Sequence, residues 1–288
     1  MLDLSHIPNG QQDIQIFNAN GGTWQTWSKP KKCNYVYIIC IGGGGGGAAG
    51  ATVNNSSAGG GASGAITRIL YNAQQLSDVL YVQVGLGGVG GLNSGALGAN
   101  GTRSSVALQP TVLAQNLVAI SGAAGAIGGS SASAGETAST QATATFYTLG
   151  NFISTAGRAN NTSGSLDIIP LTSQITCPGA AGGRFSSVPS ISDAGSILST
   201  TYSPLIPLGI SSSASGVNGT NGGDGVTIWK PFFSTGGAGG GASVTASGGR
   251  GGDGGIGSGG GGGGAGATLA QGGSGGKGGD GLVIIISF

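Results

Sequence analysis

The chain has 288 residues, long enough for one large domain or two modest ones around a buried core. Glycine fills 66 positions, Lys and Arg number 10, Asp and Glu 9, and the formal charge is +1 with 38% apolar residues. That balance excludes the highly charged, weakly hydrophobic composition of a disordered chain and the basic surface of a nucleic-acid binder.

In chain order, "MLDLSHIPNGQQD" lacks a basic n-region and an apolar h-region, so no signal peptide is expected. Residues 1–20 read as an N-terminal docking segment, with a strand predicted over 13–19 ("DIQIFNA") and another over 22–27 ("GTWQTW"). The basic cluster "KPKK" at 29–32 reads as a solvated turn. "NYVYIICI" (34–41) is apolar on both faces, which predicts a central strand covered on both sides, and runs straight into six glycines. Further strands are predicted over 64–71, 78–85 and 116–122, with one or two helical turns in "NAQQLSDVL". Residues 136–221, rich in Ser, Thr and Asn, read as an insertion with its own irregular β structure. Strands resume over 224–229 ("DGVTIW") and close with the apolar "LVIIISF" (282–288). No window holds 18 consecutive apolar residues, so membrane insertion is not expected.

Glycine-rich blocks occupy 42–64, 85–101, 121–135 and 236–281. A flexible linker would leave them unordered. Collagen is excluded by nine prolines and by runs of six glycines. The reading adopted is close backbone packing, in which extended segments with three residues per turn hydrogen-bond laterally in a polyglycine-II-type form. "GGDG" recurs at 222–225, 251–254 and 278–281 and is read as a turn, its Asp bonding nearby amides and its glycines taking dihedrals closed to other residues. The expected fold is all-β, a sandwich-like core with polyglycine-II-type segments and an irregular inserted region. Its domain runs over 21–135 and 222–288, interrupted by 136–221.

The sequence offers little chemistry. "GLGGVG" (85–90) matches a dinucleotide-binding pattern without the following helix or the acidic residue about twenty positions on, and Gly278 stands where a P-loop needs Ser or Thr after Lys277. Each GGDG begins a calcium β-roll repeat, but Thr227, Ile256 and Val283 replace its carboxylate. His6 is the single histidine, so no Ser/His/Asp set can assemble at a central site. Glu136, Asp167 and Asp193, with Asp13 and Asp78 at strand edges, leave a carboxylate pair for glycan hydrolysis as the weakest alternative. Cys33, Cys40 and Cys177 lack CxxC spacing and read as ordinary thiols. No catalytic residue, metal or cofactor is expected.

The aromatics say more. "VTIWKPFF" places Trp229, Phe232 and Phe233 around a Lys-Pro turn, where they either close the sandwich or pack against a neighbouring subunit, or else form an exposed platform for sugar or surface-protein recognition; Tyr147, Phe185 and Tyr202 are further candidates.

"TWQTWSKPKKCNYVYIICIGGGGGG" and the ending "GGSGGKGGDGLVIIISF", with "DVLYVQVGLGGVGG" between, resemble the glycine-rich domain of many bacteriophage tail and virion proteins over about 22–125 and 236–288. By composition the chain is also similar to polyglycine-II tail-fibre tip adhesins of T-even-type phages. The resemblance implies a virion-surface structural protein made in the host cytoplasm, a tail-fibre or spike component with other virion proteins as partners. It further implies a homo-oligomer, foremost a trimer, whose loops at 136–221 meet a host surface glycan or outer-membrane protein. A capsid or collar decoration protein is the alternative.

Overall fold

A computed structural model describes residues 12–52, 58–92, 94–111, 116–120, 152–155, 166–167, 175–187, 190–198, 219–229, 232–267 and 271–288. It is all-β, and its two larger sheets are antiparallel. One runs β1 (Asp13–Asn18), β15 (Leu282–Ser287), β3 (Tyr35–Ile41), β4 (Ile66–Asn72), β8 (Phe152–Thr155). The other runs β2 (Trp24–Ser28), β5 (Val79–Gln83), β6 (Ser104–Ala107), β7 (Asn116–Ile120). The strands expected from alternation and β-branched content are all present, and "NAQQLSDVL" supplies one 3-10 turn, Ala73–Gln75, capped where the Asn72 side chain accepts from the Gln74 amide.

β15 and β3 pair along their whole length, Val283 opposite Cys40 and Ile285 opposite Ile38, with Ile38 in turn opposite Ile69 on β4. Because side chains alternate, these residues and Phe17, Val36 and Tyr71 share one face and meet Trp27, Leu80, Val82 and Val106 of the second sheet. This is the core of the sandwich, in which each fully buried aliphatic side chain contributes about 1.5–3 kcal/mol. Burial pushes the Tyr71 hydroxyl up to about 12 and the Cys40 thiol well above its usual range, so Cys40 is an inert core residue.

The other face of the first sheet carries Ile41, Ile66, Leu282, Ile284 and Ile286, packed with Ile175, Phe232 and Ile256. β15 is buried on both faces, as expected. β3 is not: Tyr37 and Ile39 are half-buried and Tyr35 is exposed, so its second face is only partly covered.

The glycine-rich segments continue the strands without a linker. Residues 42–51 extend β3, 58–65 lead into β4, 85–92 extend β5, 95–102 lead towards β6, and 271–281 lead into β15. Segment 42–51 shows how they pack. Its amides at 42, 45 and 48 donate to the carbonyls of 65, 62 and 59; those at 43, 46 and 49 to 102, 99 and 96; those at 44, 47 and 50 to 279, 276 and 273. The partner changes at each residue and returns at every third, which is the threefold screw of a polyproline-II-type helix.

Segment 257–266 lies at the centre. It donates to 177–183 from residues 259, 262 and 265, to 42–51 from 260, 263 and 266, and to 249 and 252 from 264 and 261. It accepts from 61 and 64, from 237, 240 and 243, and from 273, 276 and 279. Segments on every side close a hexagonal lattice in which peptide groups satisfy one another. A Cβ on Gly261 would lie 2.0 Å from the Ala238 oxygen, on Gly263 2.0 Å from the Gly273 oxygen and on Gly259 1.8 Å from the Gly61 oxygen. Close approach, rather than unusual dihedrals, is why these positions are glycine.

That finding corrects the reading of GGDG. None of its glycines has a positive φ, and its three copies are straight lattice segments, not turns. Region 136–221 also supplies scaffold, since 177–183 bonds to 58–61 and 237–240, and Gly195 bonds to Ala181 and Gly239. Block 121–135 lies outside the described residues.

Candidate interaction surface

Direction along the lattice sorts the chain reversals into two groups. At the sandwich end lie the hairpin of β13 (Thr227–Trp229) with β14 (Phe232–Ser234) and the Ile256–Gly257 turn. At the far end, segment 42–51 stops, 85–92 turns back into 95–102, 235–243 into 248–255, and 177–183 opens into the hairpin of β10 (Arg184–Ser187) with β11 (Ser190–Ser192). The remaining pair, β9 (Leu166–Asp167) with β12 (Ile197–Leu198), is parallel.

The expected aromatic platform is thereby divided. Trp229 is 49% exposed and meets Phe232 edge to face at 5.4 Å. Phe233 does not belong to an exposed platform: opposite Ile228 on the other face of the hairpin, it is buried. Phe232 is half-buried against the first sheet, so this pair sits at the sandwich end, away from the far-end reversals. Phe185 falls on β10; Tyr147 and Tyr202 lie outside the described residues.

Of the carboxylates, Glu136 is outside the described residues, Asp167 is on β9 and Asp193 is exposed beside the lattice. Asp13 accepts from the Gln15 amide, and Asp78 pairs with Lys29 at 3.0 Å. Lys29 also donates to the Ala73 and Leu76 carbonyls, which ties the first lysine of "KPKK" to the loop before β5. Among the described residues, no group of His, Cys, Asp or Glu is placed to hold a metal, no helix is long and apolar enough to cross a membrane, and Cys33, Cys40 and Cys177 form no disulfide.

A surface the sequence reading missed lies along the lattice itself. Rim segments repeat Gly-Gly-x, and x points to solvent once per turn: Asn221 and Asp224; Arg250 and Asp253; Ser274, Lys277 and Asp280; Leu86, Val89 and Leu92. Its side chains replace missing backbone acceptors. Asp224 accepts from the Asp253 amide at 2.8 Å, Asp253 from the Lys277 amide at 2.7 Å, and Asp280 from the Gly87 amide at 2.8 Å. Asn221 does the same for Arg250 at 2.9 Å. Burial would push the Asp253 carboxyl up, but hydrogen bonds from the Arg250 guanidinium and the Lys277 amide hold it below the ordinary value. The three-residue period of "GGRGGDGG" and "GGSGGKGGDG" was the available signal.

No curated protein matches the sequence at a significant level. A family model described as a glycine-rich domain matches residues 18–287, nearly the whole span from β1 to β15, and the chain belongs to that glycine-rich domain family.

Proposed function

We propose that the protein is a non-enzymatic structural component of a phage virion, a tail-fibre or spike component that attaches to the host surface. The observation that carries this reading is the lattice: a stiff block joined to the sandwich without a hinge, with chain reversals gathered at its far end. Such a block holds short loops at fixed spacing, so little entropy is lost when they engage a surface. Receptor contact is assigned to the far-end reversals, including the β10–β11 hairpin, with Trp229 and Phe232 as a separate aromatic contact at the sandwich end.

The test is binding of the purified full chain to host cells, compared with a variant whose residues 184–192 are replaced by a short Gly-Ser reversal. Loss of binding with an unchanged melting temperature supports attachment. Unchanged binding, with the protein located on the capsid lattice in labelled particles, overturns it in favour of a decoration protein.

A further inference from the structure

At the end of the sandwich away from the lattice, β2 closes, β3 and β5 begin, and an open cleft of about 480 Å³ lies between the turn at 29–33 and the loop at 73–79. That volume is in the range of small-molecule sites, about 300–1,000 Å³. The walls are tied together. The Lys29 amide donates to the Asp78 carbonyl at 2.7 Å and the Ala73 amide to the Asn34 carbonyl at 2.8 Å. The Lys29 ammonium crosses between them, donating to the Ala73 and Leu76 carbonyls and pairing with the Asp78 carboxylate at 3.0 Å.

Lys29 and Asp78 therefore cancel. Lys31 and Lys32 line the same cleft, are exposed, and have no hydrogen-bond or ion-pair partner among the described residues. The site thus holds two positive charges without a counter-ion, in a chain whose whole formal charge is +1.

The backbone adds an independent observation. Lys32 has φ +70°, a conformation in which a Cβ is disfavoured and glycine is not. The chain puts glycine at the left-handed positions 21, 22, 95 and 257; among the described residues Thr111 is the other exception. Stability alone favours glycine at 32. What stands there is an unneutralised cation lining a cleft, the pattern of a backbone outlier kept for function.

We propose that this cleft binds a phosphate monoester on a small polar carrier such as a sugar. A phosphate monoester near neutral pH is close to a dianion, which matches the two free ammoniums. Lysine meets it as a point charge with three rotatable donors, and no arginine lines the cleft to offer a carboxylate a planar fork. Ser28 and Gln74 supply neutral donors, while Pro30 and Val79 give the carrier an apolar wall. The proposal is independent of what the far-end reversals bind.

The test uses the full chain and glucose 6-phosphate, with glucose, inorganic phosphate and sodium chloride at matched ionic strength as comparisons. Calorimetric titration should show binding of the ester and none of glucose. The ester should also slow maleimide labelling of Cys33, which lines the cleft half-buried while Cys40 and Cys177 are buried. Lys32→Gly should weaken binding about tenfold or more while leaving the melting temperature unchanged or raised, and Lys31→Ala with Lys32→Gly should abolish it. Four results overturn the proposal: chloride protecting Cys33 as well as the ester, inorganic phosphate binding as tightly as the ester, binding that survives the double variant, or Lys32→Gly lowering the melting temperature.

Discussion

Ile285 in the sandwich and Gly261 in the lattice are both buried at the centre of a packed unit, yet they are held by opposite means. Ile285 excludes water with its side chain, and its backbone bonds follow the sheet. Gly261 has no side chain; its amide donates to Gly252, its carbonyl accepts from Gly276, and its Cα faces the Ala238 oxygen where a Cβ would stand at 2.0 Å. Each lattice hydrogen bond contributes about 1 kcal/mol net. Ordering a glycine costs about 0.5–1 kcal/mol more than ordering alanine. A bonded glycine therefore gains little by itself, and the lattice depends on being complete and on being anchored by strands that have a hydrophobic core.

The two cores should fail in opposite directions. Gly261→Ala has the largest expected effect: a methyl group against a backbone oxygen that cannot move without breaking neighbouring bonds should cost about 4 kcal/mol or more, read as a fall in the denaturant midpoint. Ile285→Ala should cost about 3 kcal/mol by leaving a cavity, while Ile285→Val costs under about 1.5 kcal/mol. A lattice that accepts Gly261→Ala for less than about 1 kcal/mol is not packed as described.

The sandwich was legible in the sequence because its strands carry the usual signals. "NYVYIICI" and "LVIIISF" announce themselves, and their pairing follows from apolar content on both faces. β6 ("SSVA") was not, being short and half hydroxyl-bearing, nor was β14, where Phe232 and Phe233 read as a pair although the strand sends them to opposite faces. The lattice was legible as a material but not as an arrangement. Composition points to polyglycine II, whereas which segment bonds to which depends on contacts such as Gly87 with Asp280, 193 positions apart. The runs of six glycines at 42–47 and 259–264 lie in the most enclosed segments, where the buried side chains that flank them, Ala48, Ala49, Ser258 and Ala265, are all small.

Glycines outside the lattice sharpen the contrast. Gly21, in the turn between β1 and β2, has φ +59° and nothing within 4 Å of where a Cβ would lie. Its need is conformational, so Gly21→Ala should cost about 1–2 kcal/mol, and Gly21→Asn less, since Asn tolerates that region. Equal losses for Gly21→Asn and Gly261→Asn in denaturant titrations would mean that the two positions are glycine for one reason rather than two.

The smallest expected effect distinguishes the lattice rim from its interior. Inside, the acceptors among the described residues are neutral, backbone carbonyls with a few serine hydroxyls such as that of Ser258. At the rim, Asp253 supplies the acceptor for the Lys277 amide, and its carboxyl is held below the ordinary value of about 3.9. A carboxyl depressed in the folded state contributes stability that is fully present above the unfolded pKa and is lost as the pH falls through the folded one. The side chain is 41% exposed, so solvent screening keeps that contribution below about 1 kcal/mol. Asp253→Asn retains an oxygen for the Lys277 amide but cannot titrate. The variant should therefore be slightly less stable than the wild type at neutral pH, and the difference should shrink below about pH 4. Thermal melts across that range read the convergence directly. Parallel curves for the two proteins would show that Asp253 serves the rim by shape alone, and that the rim, like the interior, is held without charge.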